Sequence, residues 1–492
     1  MISDTGKGQG LHHLLTRLLL GAMLLCATAA GAAPQLPDLG PPAGSLSAEE
    51  TYKLGRNWLR TFRARAPILN DPLLQDYLHH LSYRLAEHGR LEDKRLEIVV
   101  VDNPELNAFA VPGGVIGVHS GLLLHARNEA ELAGVLGHEL AHLQQKHFER
   151  RLEQARRQTL PTLTGLLAGV LLAASSNGEA ALAVLYSTQA AALESLLRYS
   201  REHELEADRF GMEILVAAGM DPVAMPGMFE RMQAQFRYRS RPPEFLLTHP
   251  VTERRIAEAR SLARKHREQK KAGQSGRPHW DPDYYYLMQA RVRSMLTTNP
   301  ETLKQVKKLA QTDRASVSER YGYTLALAAA GQVKEAETII RRLLRENRPH
   351  IPFVVTAAEI AAQDKRHEEA LALLQKHRQL HPDNYPLDAA AAKIMIDAGS
   401  PLEAAKILQR QLVRQPANAF LWQLLSEARG LAGDVIGVHM ASAEHLVLNN
   451  RLPEAERQLS YALKLVKGDP QKALQLQQRL GEIREMRKEL QR

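Results

Sequence analysis

One cysteine in 492 residues, Cys26, is all the thiol chemistry this chain has. It lies inside an N-terminal stretch that reads as a cleavable leader. The mature chain is therefore expected to have no disulfide, no thiolate metal ligand and no cysteine nucleophile. Aromatic residues are scarce, at 5%, and no basic cluster is interleaved with them, so the net charge of +9 does not point to nucleic acid. Past the leader no apolar run is long enough for repeated bilayer crossings, which excludes a polytopic membrane protein. Any catalysis has to come from histidines, carboxylates and hydroxyls.

The leader has a weakly basic start (Lys7, His12, His13, Arg17), an apolar run over 18–26 and an Ala-rich tail to Ala33 before Pro34. Leu24 and Leu25 precede Cys26 where a lipidation site would want a small residue. Cleavage near Ala32 or Ala33 is thus expected, with export across a membrane. The length is about three times a ~150-residue domain, which predicts two or three domains. Pro/Gly/Ser-rich and Lys/Gly-rich connectors divide the chain into a leader (1–33), a linker (34–47), a first domain (48–264), a second linker (265–282) and a second domain (283–492).

The second domain repeats. Glu335-Ala336, Glu369-Ala370 and Glu403-Ala404 stand 34 residues apart, and Pro382 and Pro416 share that spacing. This is the tetratricopeptide period, which predicts antiparallel helix pairs stacked into an α-solenoid with a concave groove for protein segments. The next such pair, Glu454-Ala455, lies 51 residues beyond Glu403, one and a half periods, and predicts an irregular helix between them.

The first domain opens with helical patterning over 48–87. A small β-sheet follows: 96–101 is rich in β-branched residues, and 107–111 and 115–118 flank Pro112-Gly113-Gly114 as a hairpin would. The rest reads helical, so the expected class is mainly α. A pair of apolar stretches, within 161–197, meets at Ser175-Ser176-Asn177-Gly178. At 1.5 Å per residue the first falls short of a ~30 Å hydrocarbon core, so a helical hairpin is expected. It could be a core element, a flap over a site, or a surface resting on the outer membrane.

The chemistry is concentrated in His138-Glu139-Leu140-Ala141-His142, inside an apolar-periodic helix expected from Glu129 to about Arg156. Residues four apart share a helix face, so both imidazoles reach one ion, and a neighbouring carboxylate can accept a proton from metal-activated water. This is the HExxH zinc-hydrolase pattern. Gln145 and Phe148 stand where a metzincin needs Gly and His, and His147, nine residues after His138, is expected on the opposite face as a surface or supporting residue. Glu204 is the preferred third ligand, with Asp208 four residues on to fix an imidazole; His203 and Glu206 compete for the place.

HELAH and ELEAD, with NAFAVPGG before and THPVTERR after, resemble the gluzincin metallopeptidases related to HtpX and the CAAX prenyl proteases. The resemblance implies one Zn²⁺ per chain on His138, His142 and Glu204, Glu139 as acid/base and Asp208 as a supporting carboxylate. It also implies that His249 can occupy the fourth position as a brake; an imidazole there could instead stabilise the oxyanion. The relatives' membrane helices are absent here. A leader, such a peptidase and a tetratricopeptide tail together resemble the family's exported, periplasmic quality-control members in Gram-negative bacteria. That implies unfolded or stalled outer-membrane proteins as substrates, and the β-barrel assembly machinery and the lipopolysaccharide-export barrel as partners. The alternative is a non-proteolytic assembly chaperone or adaptor working through its repeats. Finally, 107–111 is expected to be an edge strand able to pair with an extended substrate.

Overall fold

The computed structural model describes residues 46–157, 201–236, 242–272, 281, 283–296, 300–310, 312, 314–347 and 350–491. The expected leader, most of the first linker, the 161–197 hairpin and part of the second linker lie outside the described residues. Among the described residues no helix is long and apolar enough to cross a membrane.

Helix α1 (Ala48–Arg63) starts at a capping box: Ser47 accepts from the Glu50 backbone, and the Glu50 carboxylate accepts in return from the Ser47 N–H. Helix α2 (Pro72–Ala86) is capped by Asp71, with Pro72 in the first turn where its missing N–H costs nothing. The sheet follows, with β1 (Glu97–Val101), β2 (Ala108–Val111) and β3 (Val115–His119) in the order β1-β3-β2. β1 runs parallel to β3, and β2 pairs antiparallel through a turn of Pro112, Gly113 and Gly114. Both glycines take positive φ, 82° and 76°, a region closed to most side chains. The hairpin is where the sequence put it, and β2 is an edge.

Short α3 (Ser120–His125) leads to α4 (Glu129–Gln144), capped by Asn128 and buried on nearly every side. The helix expected to run on to about Arg156 breaks instead. Lys146 adopts φ 50°, and a separate helix, α5 (His147–Arg157), begins after it. Beyond the masked stretch come α6 (Arg201–Ala217), α7 (Ala224–Phe236), the one-turn α8 (Glu244–Thr248) and α9 (Glu253–Ala272). The 265–272 part of the expected second linker continues α9 as helix.

The remainder is helical: α10 (Asp283–Leu296), α11 (Pro300–Ala310), α12 (Val317–Ala329), α13 (Val333–Glu346), α14 (Ile351–Gln363), α15 (His367–Leu380), α16 (Tyr385–Asp397), α17 (Pro401–Arg414), α18 (Ala419–Leu431), α19 (Val435–Leu448), α20 (Leu452–Leu465) and α21 (Pro470–Gln491). Helices α13, α15, α17 and α19 start 34 residues apart, as do α12, α14, α16 and α18. The fold is mainly helical, with a small three-stranded sheet and a tetratricopeptide solenoid. The irregular helix expected after Glu403 is regular. Helix α19, one period on from α17, carries Gly437-Val438 in place of Glu-Ala and packs against both α18 and α20. It closes one pair and opens the next, which moves Glu454-Ala455 half a period along.

One hydrophobic core runs from Leu73 to Ala441, through the first-domain helices and into the repeats. Polar contacts reinforce the seam. The Tyr285 hydroxyl bonds to the carbonyls of Leu123 and Ala126 at 2.9 and 2.7 Å, and Tyr385 reaches Gln75 at 3.2 Å. Arg291 of α10, itself buried, donates to the Asp71 carboxylate at 2.8 Å. Asp71→Ala would take away that guanidinium's nearest carboxylate, leaving Tyr321 and the more distant Glu359, and would remove the α2 cap. A loss of about 3–5 kcal/mol is expected, read as a lower urea midpoint than the wild type shows.

Candidate metal centre

Helices α4 and α6 cross at Gly137 and Gly211. A Cβ on Gly211 would stand 3.0 Å from the His138 backbone nitrogen, so the two backbones approach as closely as glycine alone allows. Glu204, Asp208 and Gly211 share one face of α6, at steps of four and three. The crossing therefore aims both carboxylates at the histidines of α4.

Four donor atoms, one each from His138, His142, Glu204 and His249, lie within 4.8 Å of one another, and all four residues are buried. His138 Nε2 is 3.0 Å from His142 Nε2 and 3.4 Å from His249 Nδ1. Glu204 places Oε2 at 3.5 Å from His138 Nε2, and Oε1 at 3.5 Å from His142 Nε2 and 3.1 Å from His249 Nδ1. A tetrahedral zinc with bonds of ~2.0–2.1 Å needs donors about 3.3–3.4 Å apart. The spacing fits that polyhedron, and so does the donor set of nitrogen and oxygen without sulfur. Three imidazoles and a carboxylate crowded into a dry pocket are the surroundings a cation fits.

Each ligand has support behind it. His138 Nδ1 donates to Asp208 at 2.9 Å. Burial alone would depress His138, but Asp208 and Glu204 outweigh it and lift it to about 9. His142 goes the other way: burial, then the neighbouring His138, hold it well below the usual range, leaving a neutral ring. Its Nδ1 meets His147 Nδ1 at 2.8 Å, and His147 Nε2 in turn meets Glu206 Oε2 at 3.0 Å. His147 is fully buried, and burial depresses it to about 4. It is thus a supporting residue and not a surface one, because the break at Lys146 turns the chain back. His203 stacks on His147 at 4.4 Å, so both competitors for Glu204's place sit one layer out.

Burial would raise Glu204, but His249 and Arg255 hold it well below the carboxylate range. Glu139 is different. Burial dominates and raises it, while the Ala110 backbone N–H of β2 bonds to the carboxylate and His249 Nε2 stands 3.7 Å from Oε1. A carboxyl raised by burial and placed beside the donor cluster is positioned to exchange a proton there.

Arg255 is the residue that sequence reading missed. It gives Asp208 a two-point bond at 2.7 and 2.8 Å and reaches Glu204 Oε2 at 2.7 Å. The arginine was visible in THPVTERR, but nothing local ties it to carboxylates 47 and 51 residues earlier.

The profile of Peptidase family M48 matches residues 72–263. The β-barrel assembly-enhancing protease of Escherichia coli K12 is 33% identical over 479 residues, 96% of each chain. This chain belongs to the β-barrel assembly-enhancing protease family. It is an M48 metalloprotease with an intact HExxH and downstream Glu, and its metal site is consistent with zinc. The Yersinia pestis member is 31% identical over 92% of this chain and 94% of its own. A mitochondrial metalloendopeptidase OMA1 from Arabidopsis thaliana is 33% identical over 34% of this chain and 31% of its own.

His147→Phe tests the supporting layer in this member of the family. Losing the partner of His142 Nδ1 is expected to weaken metal binding about 10–100-fold, measured by competition with a chromogenic chelator.

Proposed function

We propose that this protein is an exported, periplasmic zinc endopeptidase that degrades unfolded or stalled outer-membrane β-barrel proteins and assists their assembly. One Zn²⁺ would sit on His138, His142 and Glu204, with His249 at the fourth corner at rest. The observation that carries the reading is the convergence of these four donors at tetrahedral spacing beside a buried Glu139. The relatives' printed name supports the class of substrate.

When bound, zinc supplies Lewis-acid activation of water and of the scissile carbonyl. The chain's own groups do the rest. Glu139 takes the proton of the attacking water and delivers it to the leaving amine. Asp208 keeps His138 in one tautomer. The His119 N–H bonds to the Asn107 carbonyl, so alternate residues 107, 109 and 111 point their backbone groups at β3. The Ala110 C=O therefore faces outward along the partly exposed edge of β2, beside Glu139, while Ala108 is buried. An extended substrate can pair there with little regard to its side chains, as an unfolded barrel strand would. The solenoid would recruit such chains, with the β-barrel assembly machinery and the lipopolysaccharide-export barrel as partners.

His249 Nδ1 lies among the ligand atoms, where water would have to enter. This supports its role as a brake over a role as oxyanion donor. Zinc-loaded wild-type, Glu139→Gln and His249→Ala proteins would be compared on an unfolded outer-membrane protein. Glu139→Gln is expected to lose about 10²–10⁴-fold in rate with its zinc retained, and His249→Ala to cleave faster than wild type. A slower His249→Ala would make it the oxyanion donor. Assembly assistance that persists in Glu139→Gln would assign that activity to the repeats.

A further inference from the structure

Arg255 is engaged on every guanidinium nitrogen. Nε and Nη2 bond to the two oxygens of Asp208 at 2.7 and 2.8 Å, while Nη1 reaches both Glu204 Oε2 at 2.7 Å and the Pro250 carbonyl at 3.0 Å. The group lies 5.0 Å over the Phe229 ring, and only 2% of the residue is exposed. Three of these contacts are carboxylate contacts within the metal centre. The fourth is not: it grips the backbone next to His249.

The segment carrying His249 is held on both sides. Upstream, the His249 N–H bonds to the Phe245 carbonyl at 2.7 Å, and the buried Phe245 ring lies 5.0 Å from the imidazole. Downstream, the Pro250 carbonyl accepts from Arg255, and beyond it Val251 packs on the core and Thr252 is tied to the first turn of α9. The upstream hold belongs to the last turn of α8 and moves with it. The Pro250 bond ties the segment to the body of the domain through the same guanidinium that takes Glu204 Oε2. With Oε2 bonded to arginine, Oε1 is the oxygen left turned towards His142 and His249.

We propose that Arg255 is a positioning residue that couples metal retention to latency, one guanidinium both orienting Glu204 and Asp208 and clamping the Pro250 carbonyl so that His249 rests at the fourth corner. The latency half rests on the brake reading of His249 given above. The coupling has a signature that simple structural support lacks. Loosening Arg255 makes zinc leave more readily and, at the same time, opens the corner to an outside ligand.

Arg255→Lys keeps the charge but cannot serve a carboxylate fork and a carbonyl together. The experiment uses the zinc-loaded mature chain as wild type, Arg255→Lys, His249→Ala, the double variant and His147→Phe. Zinc transfer to a chromogenic chelator gives retention, and acetohydroxamate affinity by calorimetry gives access to the corner. Arg255→Lys is expected to lose zinc about 10–100-fold faster and to bind acetohydroxamate several-fold more tightly than wild type. That gain should vanish in the His249→Ala background, where no brake remains to release. His147→Phe, which removes the support behind His142 and leaves the Arg255 contacts in place, should speed zinc loss without tightening hydroxamate binding.

An unchanged hydroxamate affinity in Arg255→Lys would overturn the coupling, as would a gain that persists without His249 or one that His147→Phe shares. His249→Ala binding no tighter than wild type would instead sink the brake reading and the clamp with it. The zinc-loss rates would still decide whether Arg255 orients Glu204.

Discussion

The centre depends on how closely two helices can approach. Gly137 on α4 and Gly211 on α6 meet backbone to backbone, and a single methyl group at Gly211 would intrude to 3.0 Å on the His138 nitrogen. Because Gly211 shares its face with Glu204 and Asp208, the depth of that crossing sets the distance from carboxylates to imidazoles. Moving the helices apart by a side chain's width would leave the same residues in the same order but unable to share an ion. The ligand motif and the glycines form one geometric unit.

That closeness gathers charge in a place with no water to screen it. Glu139, Glu204 and Asp208 are all at least 98% buried. Isolated carboxylates so placed would protonate or pull the site apart. Cationic partners on the opposite side prevent it: Arg255 lies against Glu204 and Asp208, and the donor cluster is shaped for a divalent ion. A second chain of contacts leads outward from His142 through His147 and Glu206 to the half-exposed Arg150, so the centre is graded from dry to wet. Glu139 lies off both chains, and burial raises its carboxyl.

What the sequence could and could not disclose follows the range of the interactions. HELAH is legible because its geometry is local: four residues on a helix share a face in any context. The repeat is legible because each unit buries the same small residues at the same interval, and the hairpin because Gly113 and Gly114 mark its turn. The break at Lys146 has no such signal. Neither Gly nor Pro stands there, and the left-handed residue is a lysine that folding holds in place, so the return of His147 to His142 was hidden. Arg255 was hidden for another reason, since its partners lie far away in the chain. In the solenoid, α19 keeps the 34-residue spacing while giving up the Glu-Ala pair, so residue pattern and helix pattern part company there. Glu204 was preferred over His203 and Glu206 for its four-residue step to Asp208, with resemblance in support, and the structure supplies the physical reason: of the three, Glu204 lies on the face of α6 that crosses α4.

The continuous core from Leu73 to Ala441 has a consequence for how the repeats can act. An arm on a loose tether raises the local concentration of its cargo by an amount set by tether length and tolerates almost any cargo geometry. An arm whose first helices are built into the body of the peptidase cannot do that. If the repeats recruit substrate as proposed, such an arm would work as a gauge: a chain held in the groove would reach the metal centre only if its slack spanned the gap between them. A folded segment has no slack to give, so a frame of this kind would separate a stalled polypeptide from a finished one without reading a single side chain.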